Sequence, residues 1–318
     1  MTKLRALICG LTVLVLVRGC NPPAEPVQTP TAPWRFAVVG DTRGTGVFDP
    51  VNEEAVAAIA RAMVADGVDL VLVPGDLVYG TPLGLFWQLE GWRGVMAPLY
   101  KAGVRVYPVR GNHEFIGGDA SWRNAFDDLP QDGPAGEEGL TYSFTHNNAL
   151  FIGLDEYVHP HRVHQPCLDT LLNDPQRPAH VFVFGHEPAF SAGHTTTLAL
   201  ELADRDAFWN SLGAAGVPMY LCGHDHFYGR SSIADAAGRP VQQLIVGAGG
   251  APFSTFSAYV EPQVQSLFAD SGHYGYLLVQ VDGETVDVQY KAQLASTEPG
   301  VFTTVDHFTY AVPLPVQP

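Results

Sequence analysis

From Trp34 onward, short runs of apolar, β-branched residues alternate with stretches whose apolar positions recur at helical spacing. That pattern predicts βαβ units and a largely parallel sheet. Arg35 to Val39 reads as a strand. Asp49-Pro50 offers an N-cap followed by proline in the first turn, and Glu53 and Glu54 suit the positive end of a helix. Val56, Ile59, Ala60, Met63 and Val64 then keep one face apolar until Gly67. Asp69 to Val73 predicts a second strand, Phe86 to Ala102 a mainly helical stretch, and Val104 to Val109 a third strand. Thr141 to Phe144 and Leu150 to Leu154, separated by His146-Asn147-Asn148, predict a hairpin that opens a second sheet. Gln165 to Asn173 reads as helix, and the strands His180 to Phe184 and Pro218 to Leu221 flank a helix around Asp204 to Leu212. Beyond Ser231 the pattern turns antiparallel, with Gln242 to Val246, Tyr276 to Val281, Thr285 to Tyr290 and Asp306 to Val312 joined by turns such as Asp282-Gly283. No internal repeat and no second domain boundary interrupts it.

The first residues follow a different pattern. Lys3 and Arg5 precede an apolar run, Ala6 to Val17, that is short for a bilayer span and reads as an export signal. Val17-Arg18-Gly19-Cys20 resembles a lipoprotein cleavage box, which would make Cys20 a lipidated first residue and give the chain a membrane anchor; an ordinary signal peptide is the alternative. Asn21 to Pro33 is proline-rich and without periodicity, as an extended tether would be. The expected organisation is therefore a leader over 1–20, a tether over 21–33 and a single domain over 34–314, exported to the periplasm, held at the membrane or secreted.

Composition narrows the function. At 318 residues and 46% hydrophobic content the chain can bury a substantial core. Its 17 Lys+Arg against 33 Asp+Glu leave a formal charge of −16, a field that repels a polyanion, so no nucleic-acid partner is expected. With Cys9 and Cys20 in the leader, Cys167 and Cys222 remain, either paired or as two separately buried thiols.

Five strand ends carry the chemistry: VVGD at Asp41, LVPGD at Asp76, PVRGNHE at Asn112 and His113, VFGHEP at His186, and YLCGHDH at His224 and His226. In open α/β sheets ligands bind at the carboxyl ends of the strands, so these endings should converge. An Asp after a strand is by itself usually a turn former or cap, and a lone buried His is usually a packed core residue. Five such endings in one chain are not explained that way. Carboxylates, an amide oxygen and imidazoles together suit iron, manganese or zinc, and the donor count suits two ions, which as a pair clamp a phosphoryl group and lower the pKa of a bound water.

Gly40-Asp41, Gly75-Asp76, Gly111-Asn112-His113-Glu114, Gly185-His186 and Gly223-His224-Asp225-His226 resemble, in order, the motif set of the calcineurin-like metallophosphoesterases. The resemblance spans roughly Phe36 to Arg230. It implies a four-layer α/β/β/α sandwich of two mixed sheets flanked by helices. It also implies a dinuclear centre (iron with iron, zinc or manganese) in which Asp76 bridges, Asp41 and His226 bind the first ion, and Asn112, His186 and His224 bind the second. His113 would assist the leaving group and Glu114 would orient it. The implied activity is hydrolysis of small phosphomonoesters by a metal-bound hydroxide. A phosphodiesterase acting on nucleotides, cyclic nucleotides or phospholipid head groups is one alternative, and a non-catalytic lipid-anchored binding protein is another.

The common family pattern begins Asp-x-His, whereas this chain has Asp41-Thr42-Arg43 and so lacks an expected imidazole at the first ion. Purple acid phosphatases also lack that His and use the Tyr of Gly-Asp-x-x-Tyr, which Gly75-Asp76-Leu77-Val78-Tyr79 is similar to. Tyr79 is then either a tyrosinate ligand favouring ferric iron or an aromatic packed at a loop end. Arg43 either binds a phosphate oxygen or neutralises the carboxylates. His194 is either a substrate contact or an exposed loop residue. His159, His161 and His164 read as an exposed loop rather than another metal site, and Gly247-Ala248-Gly249-Gly250 as a tight turn.

Overall fold

The structure, a computed structural model, describes residues 20, 32–256, 259 and 261–314. The leader residues 1–19 and tether residues 21–31 lie outside them. Among the described residues fifteen strands form: β1 (Trp34–Val38), β2 (Arg43–Gly46), β3 (Asp49–Val51), β4 (Leu70–Pro74), β5 (Arg105–Val109), β6 (Tyr142–His146), β7 (Ala149–Gly153), β8 (His180–Phe184), β9 (Met219–Cys222), β10 (Tyr228–Ala234), β11 (Pro240–Val246), β12 (Val264–Asp270), β13 (Gly275–Asp282), β14 (Thr285–Ala292) and β15 (Thr303–Ala311). The α-helices are α1 (Glu53–Ala65), α2 (Leu85–Val95), α3 (Ala97–Lys101), α4 (Asn112–Phe115), α5 (Asp119–Ala125), α6 (Gln165–Leu172) and α7 (Leu202–Ala215).

Two large mixed sheets face each other. One has six strands in the order β15-β14-β13-β1-β4-β5, the other seven in the order β12-β10-β11-β9-β8-β7-β6. At the centre of each the strands are parallel and level: Val38 pairs with Leu72 and Leu72 with Tyr107, while Gly153 pairs with Phe184 and Phe184 with Leu221. Level parallel strands put their carboxyl ends on one rim. Between the sheets the rings of Phe36, Phe151 and Phe182 interlock, with Phe36 centred 5.3 Å from Phe151 and 4.7 Å from Phe182. Val56, Ile59 and Met63 bury one side of α1 against the first sheet, and Leu168 and Leu171 of α6 with Phe208 and Leu212 of α7 cover the second. These are the four layers of the expected sandwich.

The differences have local causes. Asn52, not Asp49, caps α1 through Oδ1 to the Ala55 N–H, because Asp49-Pro50-Val51 is used as a short strand against β2. The stretch from Phe86 to Ala102 breaks at Met96 into α2 and α3, since Pro98 has no N–H to continue the helix. β12 is an edge strand with mostly exposed side chains, so no apolar alternation announces it.

The cysteines correct one expectation. Cys20 is buried and joined to Cys167, at the start of α6, by a disulfide, while Cys222 is a free buried thiol. Cys167 and Cys222 are therefore not partners. A sulfur bonded to Cys167 and the thioether of a lipid anchor are alternative fates for Cys20, and the structure contains the first. Closing a loop with a sequence separation of 147 restricts the unfolded chain strongly, and such bonds contribute about 2–5 kcal/mol. Cys167→Ser, or reduction of the wild type, is expected to lower stability by about that amount. Non-reducing peptide mapping together with denaturant titration with and without reductant checks both the pairing and its effect.

Candidate metal centre

The ligand candidates emerge where the parallel strands end. Asp41 follows β1, Asp76 follows β4, Asn112 and His113 open α4 after β5, His186 follows β8, and His224 and His226 follow β9. Three of them, Asp41, Asp76 and His224, sit at φ of 54°, 52° and 70°, a left-handed conformation that side-chain-bearing residues hold only where the surroundings enforce it. Here the enforcement is hydrogen bonding: His224 N–H donates to Asp41 Oδ2 at 2.9 Å and His113 N–H to Asp76 Oδ1 at 3.1 Å. The preceding glycines follow from the crowding. A Cβ on Gly111 would strike the Asp76 carboxylate, and one on Gly223 the Asp41 carboxylate.

One oxygen each of Asp41 and Asp76 and a ring nitrogen of His186 lie within 4.8 Å of one another, all buried. Around His186 the donors are tighter still. His224 Nδ1 is 3.1 Å from both Asn112 Oδ1 and His186 Nε2, His186 Nε2 is 3.2 Å from Asn112 Oδ1, and Asp76 Oδ1 is 3.4 Å from His186 Nε2. A tetrahedral ion with bonds of about 2.0–2.1 Å has ligand–ligand edges of about 3.3–3.4 Å, so Asn112, His186 and His224 are spaced as neighbouring ligands of one ion, with Asp76 next to His186. The outer nitrogens are spoken for: His186 Nδ1 bonds Pro74 O at 2.8 Å and His224 Nε2 bonds Thr196 Oγ1 at 3.3 Å. Partners on the far nitrogen fix the tautomer and aim the near lone pair inward, as in metal-ligating histidines.

Electrostatics point the same way. Burial holds His186 below and His224 well below the usual imidazole range, so both are neutral and able to ligate. Burial, then the Asp76 charge, pushes Asp41 well above the usual carboxylate range. For Asp76 burial acts upward, but His186, His113 and His224 outweigh it and the net direction is down. Two carboxylates this close favour a cation between them. The residues present fit a divalent metal centre.

The other donors are arranged differently. His226 Nδ1 bonds Pro252 O at 2.8 Å, and its Nε2 is 3.7 Å from Asp41 Oδ1. The Arg43 guanidinium reaches the same place, with Nη2 3.4 Å from His226 Nε2 and Nε 3.7 Å from Asp76 Oδ2. Burial and then Arg43 hold His226 down to about 4.

His113 lies at the rim, its Nε2 3.8 Å from Asp76 Oδ2 and its Nδ1 in a short contact with the Tyr79 carbonyl. The Tyr79 ring meets the His113 ring edge-on, 5.5 Å between centroids. Glu114 does not orient that ring. Its carboxylate accepts backbone N–H groups of Asp76 at 3.0 Å, Gly111 at 2.8 Å and Val78 at 3.1 Å, tying together the loops after β4 and β5. The element that holds the His113 imidazole is the Tyr79 carbonyl.

His194 comes to the rim as well, with Nδ1 2.8 Å from Asp225 Oδ1 and its ring 4.6 Å from that of His224. The Asp225 bond raises its pKa. Asp225 had no role assigned by sequence, although it stands between two ligands in Gly223-His224-Asp225-His226. Glu156 was missed too. Its Oε2 accepts from His186 N–H at 2.9 Å and its Oε1 from the Tyr220 hydroxyl at 2.6 Å, which fixes the Gly185-His186 turn from behind. The three histidines of the loop before α6 do separate work: His159 pairs with Glu137, His161 with Glu187, and His164 accepts the Cys167 N–H to cap α6. Gly249 N–H bonds Gly40 O in the tight turn after β11.

The calcineurin-like phosphoesterase profile matches residues 35–228, which is more than half the chain and includes Asp41, Asp76, Asn112, His113, His186, His224 and His226. The chain belongs to this family. As a calcineurin-like phosphoesterase it is a hydrolase acting on phosphoric ester bonds. Solved structures share the phosphoesterase fold at low identity. A purple acid phosphatase, PPD1, from yellow lupin (Lupinus luteus) seeds superposes with a TM-score of 0.67 at 15% identity over 90% of this chain and 55% of that one. GAP50 of Plasmodium gives 0.62 at 17% identity over 90% of each chain, and a dimetal phosphatase from Danio rerio gives 0.57 at 18% identity over 91% of this chain and 100% of that one. This phosphoesterase thus spans about half the length of the lupin protein. No curated protein sequence matches it.

Proposed function

We propose that this phosphoesterase hydrolyses small phosphomonoesters outside the cytoplasm. The observation that carries the ester class is the Arg43 guanidinium at the edge of the donor cluster, within 3.7 Å of Asp76, together with the His194 imidazole held on Asp225. A monoester dianion carries one more charge than a diester and gains more from two such groups. Export is supported by the leader pattern and by a disulfide, a bond that persists in oxidising compartments. When bound, the metal supplies a Lewis acid that polarises the phosphoryl group and makes water acidic enough to attack near neutral pH; iron, zinc or manganese suits the donors.

The protein's own part is proton management and positioning. With the Tyr79 carbonyl fixing Nδ1–H of His113, the mobile proton of the imidazolium is on Nε2, which faces the cluster and can pass it to the departing alkoxide. Asp225 holds the His194 imidazole toward the same opening, where it can donate to a phosphoryl oxygen. GAP50 of Plasmodium, described as an anchor in the inner membrane complex, shows that the fold also occurs in a protein with an anchoring role. A purely binding role would leave the oriented His113 without use.

Turnover of p-nitrophenyl phosphate against bis(p-nitrophenyl) phosphate tests the reading. The monoester should lead in kcat/KM by about tenfold or more, the worth of one additional charge-assisted contact; a diester preference would favour the phosphodiesterase alternative. His113→Ala should lower kcat on alkyl phosphates by about 10²–10⁴-fold and on p-nitrophenyl phosphate far less, since that leaving group needs no proton. Equal losses on both would remove the acid role.

A further inference from the structure

We propose that this chain binds one metal ion firmly, at Asp76, Asn112, His186 and His224, and that the Arg43 guanidinium takes the place of a second ion beside Asp41, Asp76 and His226. The proposal rests on reading the cluster as a metal centre and is independent of which ester is cleaved. Its first support is the asymmetry of the two donor sets. The donor atoms of Asn112, His186 and His224 stand 3.1–3.2 Å apart, the spacing of ligands to one ion, and Asp76 Oδ1 adjoins them 3.4 Å from His186 Nε2. The set with Asp41 and His226 is wider, at 3.7 Å, and a guanidinium enters it from the side.

The second support is the state of that guanidinium. Arg43 Nε is buried with no hydrogen-bond partner, while Nη1 donates to Gly44 O at 3.1 Å. Nε and Nη2, which form one fork of the group, are the two nitrogens turned toward Asp76 and His226. Arginine keeps its charge at any working pH, so a dication placed among Asp41, Asp76 and His226 would lie against a permanent positive charge in a poorly screened site. The fork is also the geometry that grips two oxygens of a phosphate dianion. One ion and one guanidinium then share the work of neutralising the phosphoryl group, and the missing partner of Nε is supplied by substrate.

Chelator-stripped protein dialysed to equilibrium with manganese(II) should retain one equivalent by elemental analysis, with the electron paramagnetic resonance spectrum of an isolated ion. Arg43→His, which removes the guanidinium and supplies a ligand, should raise the count to two and produce an exchange-coupled spectrum. Arg43→Ala should weaken phosphate binding, measured by calorimetry on the metal-loaded protein, by about tenfold. His224→Asn should cost at least about tenfold in metal affinity and His226→Asn much less. Two equivalents of similar affinity in the wild type, or equal losses from His224→Asn and His226→Asn, would overturn the proposal while leaving the metal centre intact. Failure to retain any metal would overturn both. An iron-loaded wild type with a visible charge-transfer band lost in Tyr79→Phe would also overturn it, because that band requires an ion beside Tyr79.

Discussion

Asp76→Asn is expected to lower kcat/KM on any phosphoester by about 10³-fold or more and to reduce the metal retained after dialysis. The substitution keeps shape and removes charge. Asp76 stands where the site's groups meet: Oδ1 accepts the His113 N–H at 3.1 Å and lies 3.4 Å from His186 Nε2, while Oδ2 is 3.7 Å from Arg43 Nε and 3.8 Å from His113 Nε2. Loss of one preorganised electrostatic contact costs about 10²–10³ in kcat, and here a ligand charge and the counter-ion of the Arg43 guanidinium disappear together. Buried at 1% exposure, the position has no water to replace what is lost. Metal content by elemental analysis and turnover on p-nitrophenyl phosphate decide the outcome. A variant with wild-type rates would place the chemistry elsewhere in the molecule.

The residues around Asp76 could be singled out in the sequence because each announces itself locally. A strand ends, a glycine follows, and a hard or borderline ligand comes next; Gly111 and Gly223 show why, since a side chain at either would collide with a neighbouring carboxylate. What could not be read are the contacts made between loops distant in sequence. Nothing near His113 indicates that the Tyr79 carbonyl will hold it, and nothing near His194 indicates Asp225, which is 31 residues away. Cys20 and Cys167 are 147 residues apart, and pairing at that range depends on how the chain packs over α6. The fold divides similarly. The central parallel strands are continuous apolar runs and stand out, whereas β12, exposed along most of its length, has no hydrophobic signature. Asp49-Pro50 satisfies the rules for a helix start as well as Asn52 does, and only the pairing of β3 with β2 decides between them.

Asp155→Ala is expected to be the most destabilising single change near the site, by about 3–5 kcal/mol, through a group that touches no ligand. Arg110 precedes Gly111-Asn112-His113 at the end of β5 and is 1% exposed. Its Nε donates to Asp155 Oδ2 at 2.7 Å inside the fold, and its Nη1 makes a short contact with Asp119 at the surface. Asp155 is equally buried and organises the loop after β7, its Oδ1 accepting the N–H groups of Tyr157 at 3.0 Å and Val158 at 2.8 Å. Removing the carboxylate strands a guanidinium that cannot deprotonate and leaves two backbone donors without their acceptor. Asp119 offsets little, because it is exposed and already engaged through a different nitrogen. Replacing Arg110 by Met together with Asp155→Ala should recover part of the loss, since an apolar pair carries no unpaired charge. Denaturant unfolding of the single and double variants checks this. A double variant no more stable than Asp155→Ala would mean that the loop's hydrogen bonds, and not the buried charge, account for the effect. Because β5 leads directly into Asn112 and His113, the single variant should also lose metal affinity, and the metal-loaded double variant should regain it in proportion to its recovered stability.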